Sequence, residues 1–332
     1  HKIEIKSIEN QKFTIKPGLR FEIFEQERVD RLRGATYLDK TTCVLLPGLG
    51  INKQLNNFNL FAGIHRGFTP PSSGTLKILN FGESSSGSLD LKAEKSWNKE
   101  LGVRFSNKDI SYELAAFHIS IEDLVAASRA FQFINLGKVQ SMGLEFSGTI
   151  YPALFSSNFN NVFPTLFFSL SLLDTEVLDG ITYNNNFYHV NEDDANYIID
   201  ISGNELPYSP NVTFNLGLQK NFFNALDVRF DYRYVSSSYT DFQNVEFGDV
   251  DYIVQELIGI SGPIPDLEII NISSAYSLSD KMKISLSIKN LLDEKYIGSR
   301  LHSNPSQPEA NKSSGIIPGA PRQVNIGIDY NF

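Results

Sequence analysis

The sequence predicts an all-β fold, part of an antiparallel transmembrane barrel, and three observations carry that reading. Segment after segment alternates apolar and polar residues with a period of two, which gives a strand one apolar face. Short and long connections alternate along the chain, which puts short turns on one side of a sheet and long loops on the other. In the final segment, Val324, Ile326, Ile328, Tyr330 and Phe332 share one face, while Gln323, Asn325, Gly327, Asp329 and Asn331 share the other. A segment of about ten residues with one apolar face and a terminal aromatic suits a barrel strand that crosses a membrane.

The elements follow in chain order. Ile3 and Ile5 oppose Lys2, Glu4 and Lys6; Phe13, Ile15, Leu19, Phe21 and Ile23 oppose Thr14, Lys16, Gly18, Arg20 and Glu22. Leu60, Ala62 and Ile64 oppose Asn59, Phe61 and Gly63; Trp97, Leu101, Val103 and Phe105 oppose Asn98, Glu100, Gly102 and Arg104. Tyr112 and Leu114 are out of phase with Phe117, Ile119 and Ile121, so a bulge is expected between them. Met142, Leu144, Phe146 and Ile150 oppose Ser141, Gly143, Glu145 and Thr149. Val212, Phe214, Leu216 and Leu218 oppose Asn211, Thr213, Asn215 and Gln219. The clearest alternation sets Leu226, Val228, Phe230, Tyr232 and Tyr234 against Asp227, Arg229, Asp231 and Arg233. Met282, Ile284, Leu286 and Ile288 against Lys283, Ser285, Ser287 and Lys289 is nearly as clean.

Short connections are expected near 8–11, 50–56, 106–109, 152–161, 220–225 and 279–281, and long ones near 26–40, 67–92, 122–138, 174–206, 236–264 and 293–320. That makes about thirteen strands. An odd count does not suit a single-chain bacterial barrel, which closes with an even number. With the last strand ending at the periplasmic, short-turn side, the first runs inward from outside. Residues 1–332 are therefore expected to be the C-terminal portion of a larger barrel, with its first strands upstream of His1.

Composition bounds the alternatives. The 332 residues are 41 % apolar, which excludes wholesale disorder. No run reaches the roughly eighteen apolar residues of a spanning helix. A net charge of -9 disfavours nucleic acid or an anionic membrane surface as the main partner. Cys43 is the only cysteine, so neither an internal disulfide nor a thiolate metal cage is expected. His118 and His189 lack fixed-spacing partners, and Ser202 sits in Ile-Ser-Gly rather than a nucleophile elbow, so neither an enzyme nor a cofactor is predicted.

Several stretches resemble one family. They are Phe13 to Glu22, Leu45-Leu-Pro-Gly-Leu-Gly50, Asn59 to Pro71, Leu91 to Gly102, Ile288-Lys-Asn-Leu-Leu-Asp-Glu-Lys-Tyr296 and the terminal Phe332. In order and spacing they resemble the TonB-dependent outer-membrane receptors. His65-Arg-Gly-Phe-Thr-Pro-Pro71 and Gly315-Ile-Ile-Pro-Gly-Ala-Pro-Arg322 look most like its ferric-citrate branch. The resemblance implies a barrel of about 22 strands around a plug, of which this chain would supply the tenth onward. It also implies a ferric chelate as cargo and a TonB-type energy-transducing partner that engages an N-terminal box. The plug and that box would lie outside this chain.

Candidate ligand contacts are His65 and Arg66, where a strand enters the 67–92 loop, and Arg300 and His302 in the 293–320 loop beside Lys295 and Lys312. An arginine fork suits the carboxylates of an anionic chelate; structural anchoring of the loops is the competing and preferred reading. The 174–206 and 236–264 loops carry acids without a single Lys or Arg, which argues against their gripping a citrate complex. Asp193 and Asp194 could hold a hard cation, though solvation is the simpler role. Arg20, Glu22, Glu100, Arg104, Glu145, Asp227, Arg229, Asp231 and Arg233 are expected inside the barrel, where cross-strand ion pairing is preferred over a transport role. Trp97, Tyr112, Tyr232, Tyr234 and Tyr330 are candidates for interfacial aromatic girdles. A passive porin and a soluble carbohydrate-binding β-protein are the readings from other classes.

Overall fold

The computed structural model describes residues 3–7, 11–30, 35–71, 91–127, 133–152, 163–183, 198–244, 263–300 and 316–332. Its strands are β1 (Ile3–Ser7), β2 (Gln11–Asp30), β3 (Ala35–Leu55), β4 (Phe58–Thr69), β5 (Glu94–Ser106), β6 (Ile110–Ala127), β7 (Phe133–Ile150) and β8 (Thr165–Tyr183). There follow β9 (Ile198–Asp200), β10 (Val212–Phe222), β11 (Leu226–Val235), β12 (Leu267–Ser279), β13 (Met282–Lys289), β14 (Ile297–Arg300), β15 (Ile316–Pro318) and β16 (Gln323–Tyr330). Thirteen of them form one antiparallel path, β1 to β8, then β10 to β13, then β16. The path is open, with β1 and β16 at its ends; β9 adds to β8, and β14 pairs with β15.

The two faces differ as the alternation requires. One is apolar yet uncovered: Leu19 and Ile326 are each 73 % exposed and Leu101 62 %. Leaving side chains of that size in water would forfeit roughly 1.5–3 kcal/mol apiece, so an apolar medium is expected to cover this face. Aromatics fringe it at both ends. Near the short turns, a run of ring contacts links Phe58 to Phe105 at 4.7 Å, Phe105 to Tyr112 at 5.3 Å, Tyr112 to Phe146 at 6.1 Å and Phe146 to Phe168 at 4.8 Å. Trp97 on β5 and Phe214, Tyr232 and Tyr234 on β10 and β11 fringe the long-loop end. Trp97 and Phe105 are about eight residues apart, or about 26 Å of strand. A strand tilt of about 40° makes that about 20 Å of height, close to the roughly 25 Å apolar band of an outer-membrane barrel.

The other face is polar and internally paired. Arg104 Nε donates to Glu113 Oε2 at 2.7 Å across β5 and β6, and Arg229 Nη2 donates to Asp231 Oδ1 at 2.7 Å along β11. Arg20 pairs with Glu22. Each of the first two arginines also lies over a ring, Arg104 at 4.3 Å from the Phe61 centroid and Arg229 at 5.0 Å from that of Phe167. Both phenylalanines stand directly opposite glycines, Phe61 opposite Gly102 and Phe167 opposite Gly217, and the Phe61 ring covers its glycine. A Cβ on Gly102 would meet the Phe61 ring tip at 2.4 Å and the Leu114 carbonyl oxygen at 2.6 Å, so glycine is what admits the ring.

Four expectations need correction. No bulge separates Tyr112 from Ile121, because the β5–β6 register runs unbroken from Ser106↔Ser111 to Lys95↔Glu122. Instead Phe117 occupies the polar face over Gly143, and Ala116, His118 and Ser120 share the face of Leu114. The register shift comes later, between Ile121 and Leu124, where Asp123 has a φ of 57°. The supposed long loops at 26–40 and 122–138 are largely strand, with β2 and β3 paired out to Asp30↔Ala35 and β6 and β7 out to Ala127↔Phe133. A ladder satisfies backbone groups whatever the side chains, so strands outlast the apolar pattern. The 50–56 turn is likewise tighter, β3 reaching Leu55 and β4 starting at Phe58. Most of the expected 152–161 turn lies outside the described residues.

Candidate functional site

At the long-loop end, the chain after β9 folds back over the polar face of β7 and β8. The apolar run Ile198-Ile-Asp-Ile201 supplies the cause, since Ile201 must bury its side chain. It does so completely, in a small core with Ala126, Leu136, Val139 and Val177, against which Ile121, Leu124, Ile199, Leu206 and Phe242 pack. Backbone bonds fix the same contact: Val177 N donates to Asn204 O at 2.8 Å, Gly203 N to Val177 O at 2.8 Å and Ile201 N to Gly180 O at 3.0 Å. Leu206 N donates to the buried Thr175 hydroxyl at 3.1 Å. Gly203, at φ +86°, makes the reversal that an L side chain would strain.

Residues 238–244 join this platform. Glu205 N donates to Asn244 Oδ1 at 2.7 Å, Asn244 Nδ2 returns a bond to Glu205 O at 3.0 Å, and Asn204 Nδ2 donates to Phe242 O at 2.8 Å. Tyr208 N donates to Tyr239 O at 2.7 Å, and the Tyr208 hydroxyl donates to the Arg300 carbonyl oxygen. The described parts of three long connections are thus tied together into one mouth. Burial raises the Tyr208 phenol above its ordinary value, and burial also pulls the Arg300 guanidinium below its own.

A second tie closes the base of the last long loop. Asn290, 4 % exposed and at φ 51°, donates from Nδ2 to Glu294 O at 2.9 Å and Ala320 O at 3.1 Å, and accepts from Glu294 N at 2.8 Å. Arg322 N donates to Asp293 Oδ1 at 2.8 Å, and Gly319 N to Tyr296 O at 2.7 Å. A Cβ on Gly319 would fall 2.1 Å from the Tyr296 ring. The described residues 290–296 and 316–322, parts of the two stretches that resembled the receptors, are two halves of one clasp.

The predicted contacts fall in different places. His65 is exposed on the polar face, opposite Gly48 and Asn98. Arg66, one residue on, shares the apolar face with Leu60 and Ile64 and lies 5.6 Å from the Trp97 ring centroid, because successive side chains of a strand point oppositely. Arg300 is 3 % exposed, with Nε donating to Pro263 O at 3.3 Å, so its guanidinium serves the loop packing. His302, like Asp193 and Asp194, lies outside the described residues. Among the described residues no group of three or more His, Cys, Asp or Glu could hold a metal ion. Ile201, Thr175 and Asn244, which shape the mouth, were not singled out from the sequence; the apolar run inside an acidic loop was the available signal.

The family described as TonB dependent receptor-like, beta-barrel, matches residues 4–291. No curated protein sequence matches the chain. Among solved structures, the unliganded ferric citrate transporter FecA is similar at a TM-score of 0.70 and 20 % identity, over 97 % of this chain and 43 % of its own. The siderophore receptor PiuA from Acinetobacter baumannii is similar at 0.69 and 15 %, over 96 % and 40 %. The copper transporter OprC is similar at 0.67 and 15 %, over 100 % and 46 %. The chain thus spans less than half the length of these solved proteins.

Proposed function

The chain belongs to the TonB-dependent receptors, within the family's β-barrel, and on that premise we propose that it walls an outer-membrane receptor that imports a ferric chelate, citrate or a related siderophore. Cargo is captured without chemistry at the tied long loops, on the outer side of the membrane. Release follows when a TonB-type partner, engaging a box elsewhere in a longer protein, pulls on a plug that fills the barrel. The C-terminus lies at the periplasmic side with the short turns. The match over residues 4–291 carries this reading, and coverage of only 43 % of the FecA chain is compatible with a plug and further strands in a longer protein. Of the four candidate contacts, His65 and His302 are assigned to the cargo directly. Arg300 is assigned to holding the loops in register, and Arg66 to the barrel's outer surface.

A non-iron cargo is the second reading. The acidic stretches 184–206, beyond β8, and 236–264 contain no Lys or Arg, which favours a cationic cargo over an anionic one, and a copper transporter is among the similar structures. Uptake of radiolabelled ferric citrate and of copper by cells carrying the intact protein separates the two. Energy-dependent iron accumulation is expected, with His65→Ala or His302→Ala weakening it about tenfold, the worth of one charge-assisted hydrogen bond. Energy-dependent copper uptake without iron uptake would move the assignment to the second reading, and energy-independent passage of both would indicate a passive pore.

A further inference from the structure

On β4 to β6 the apolar face passes, at its long-loop end, into a cluster of cations. Across the β4–β5 ladder Ile64 faces Lys99, Arg66 faces Trp97 and Phe68 faces Lys95. Across β5–β6, Lys99 faces His118 and Lys95 faces Glu122. Arg66, Lys95 and Lys99 take part in none of the ion pairs found among the described residues. The Arg66 guanidinium is laid over the Trp97 ring, with its Nε buried there and unpartnered. Two further acids of this face, Asp174 and Glu176, stand on β8 beyond β7. There Gln140 Nε2 already donates to Glu176 at 2.8 Å, while His118 Nε2 contacts Gln140 at 3.4 Å. The β4–β6 patch therefore sets three cations against the single acid Glu122.

Cations are costly on a lipid-facing surface unless an anion meets them there. Strands about 4.8 Å apart, with same-face residues about 7 Å apart along each, put Arg66 about 8 Å from either lysine and the lysines about 14 Å apart along β5, a span their long stems can close onto one headgroup. Trp97 marks the interface level, since an indole with an apolar body and a polar N–H belongs where hydrocarbon gives way to headgroups. The patch is continuous with the apolar band, so whatever covers Leu60, Ile64 and Leu101 continues over it.

We propose that Arg66, Lys95 and Lys99, with Trp97 as the platform, bind the phosphate of an anionic lipid headgroup in the leaflet at the long-loop end. The proposal rests on the membrane reading given above but not on the identity of the cargo. Lysine stems bury along the apolar band while their ammonium groups reach the headgroup layer. Arg66, its Cζ 5.6 Å from the Trp97 ring centroid, offers a fork of N–H groups to phosphate oxygens.

The test uses the intact protein in detergent micelles, titrated with lipid A carrying its phosphates, with dephosphorylated lipid A and with inorganic phosphate. Bound lipid is read by native mass spectrometry. Phosphorylated lipid A is expected to bind and its dephosphorylated form to bind far less. The triple variant Arg66→Gln, Lys95→Gln, Lys99→Gln should lose affinity by between about ten- and a hundredfold, as expected for cations at a charged membrane surface. Removing the same charge near the short turns, with Lys53→Gln, Lys108→Gln and Lys220→Gln, should leave binding unchanged. Equal binding of both lipids, or of the wild type and the first triple variant, overturns the proposal, as does full displacement by inorganic phosphate. Failure of the folded protein to transport iron would count against the proposed cargo and leave this result intact.

Discussion

Replacing Asn290 by alanine is expected to cost about 3–4 kcal/mol and to free the last long loop from its base. Three side-chain bonds disappear, to Glu294 O, Ala320 O and Glu294 N, at about 1 kcal/mol net each when their partners stay buried. The φ of 51° adds roughly 1 kcal/mol for a residue with a Cβ and no local polar group to compensate. Asn290→Asp keeps the bond from Glu294 N but loses both donations, and should fall between wild type and alanine. Asn290→Gly relieves the strain alone and should recover about 1 kcal/mol over alanine. The same clasp makes Gly319→Val severe, because its side chain and the Tyr296 ring would claim one volume. Here Tyr296→Ala should rescue part of the loss, a coupling that a thermal-melting cycle of the four proteins measures. Additive losses would show that the two stretches do not act as one unit.

The second large effect is expected at Ile201. Ile201→Ala removes most of a side chain with 0 % exposure from a core of only five buried residues, at about 3 kcal/mol. Because that core lies beyond the apolar band, the loss should be local. Limited proteolysis should open residues 198–209 while β7 and β8 stay protected, and cargo affinity should fall although no direct contact is changed. Protection of 198–209 equal to wild type would mean that the hydrogen bonds through Asn204 and Asn244 suffice to hold the mouth.

How far the sequence could go follows from which forces are local. Period-two alternation is a local property, so the faces of β4, β5, β11 and β13 were legible residue by residue. Phe117 departs from the pattern because an aromatic need not mark the apolar face: its ring lies inside where the opposite strand offers a glycine, here Gly143. The reach of β2 and β3 to Asp30 and Ala35 was hidden because ladders persist where alternation has faded. The opposed directions of His65 and Arg66 were readable from their adjacency on one strand. The burial of Arg300 was not, since its bonds reach Pro263 and Tyr208, 37 and 92 residues away. Nothing local announces a contact across that distance.

The central claim, that the uncovered apolar face meets the bilayer and the paired polar face does not, is tested most directly by spin labels at alternate positions of the intact protein in lipid vesicles. Labels at Leu60, Leu101, Leu144 and Ile326 should be relaxed by oxygen dissolved in the hydrocarbon and shielded from a water-soluble nickel chelate. Labels at Glu100, Glu145, Ser285 and Asn325 should show no such lipid contact, so that accessibility alternates with a period of two along β5, β7 and β16. Equal access of the nickel chelate to both sets would contradict it, and would place the sheet in water.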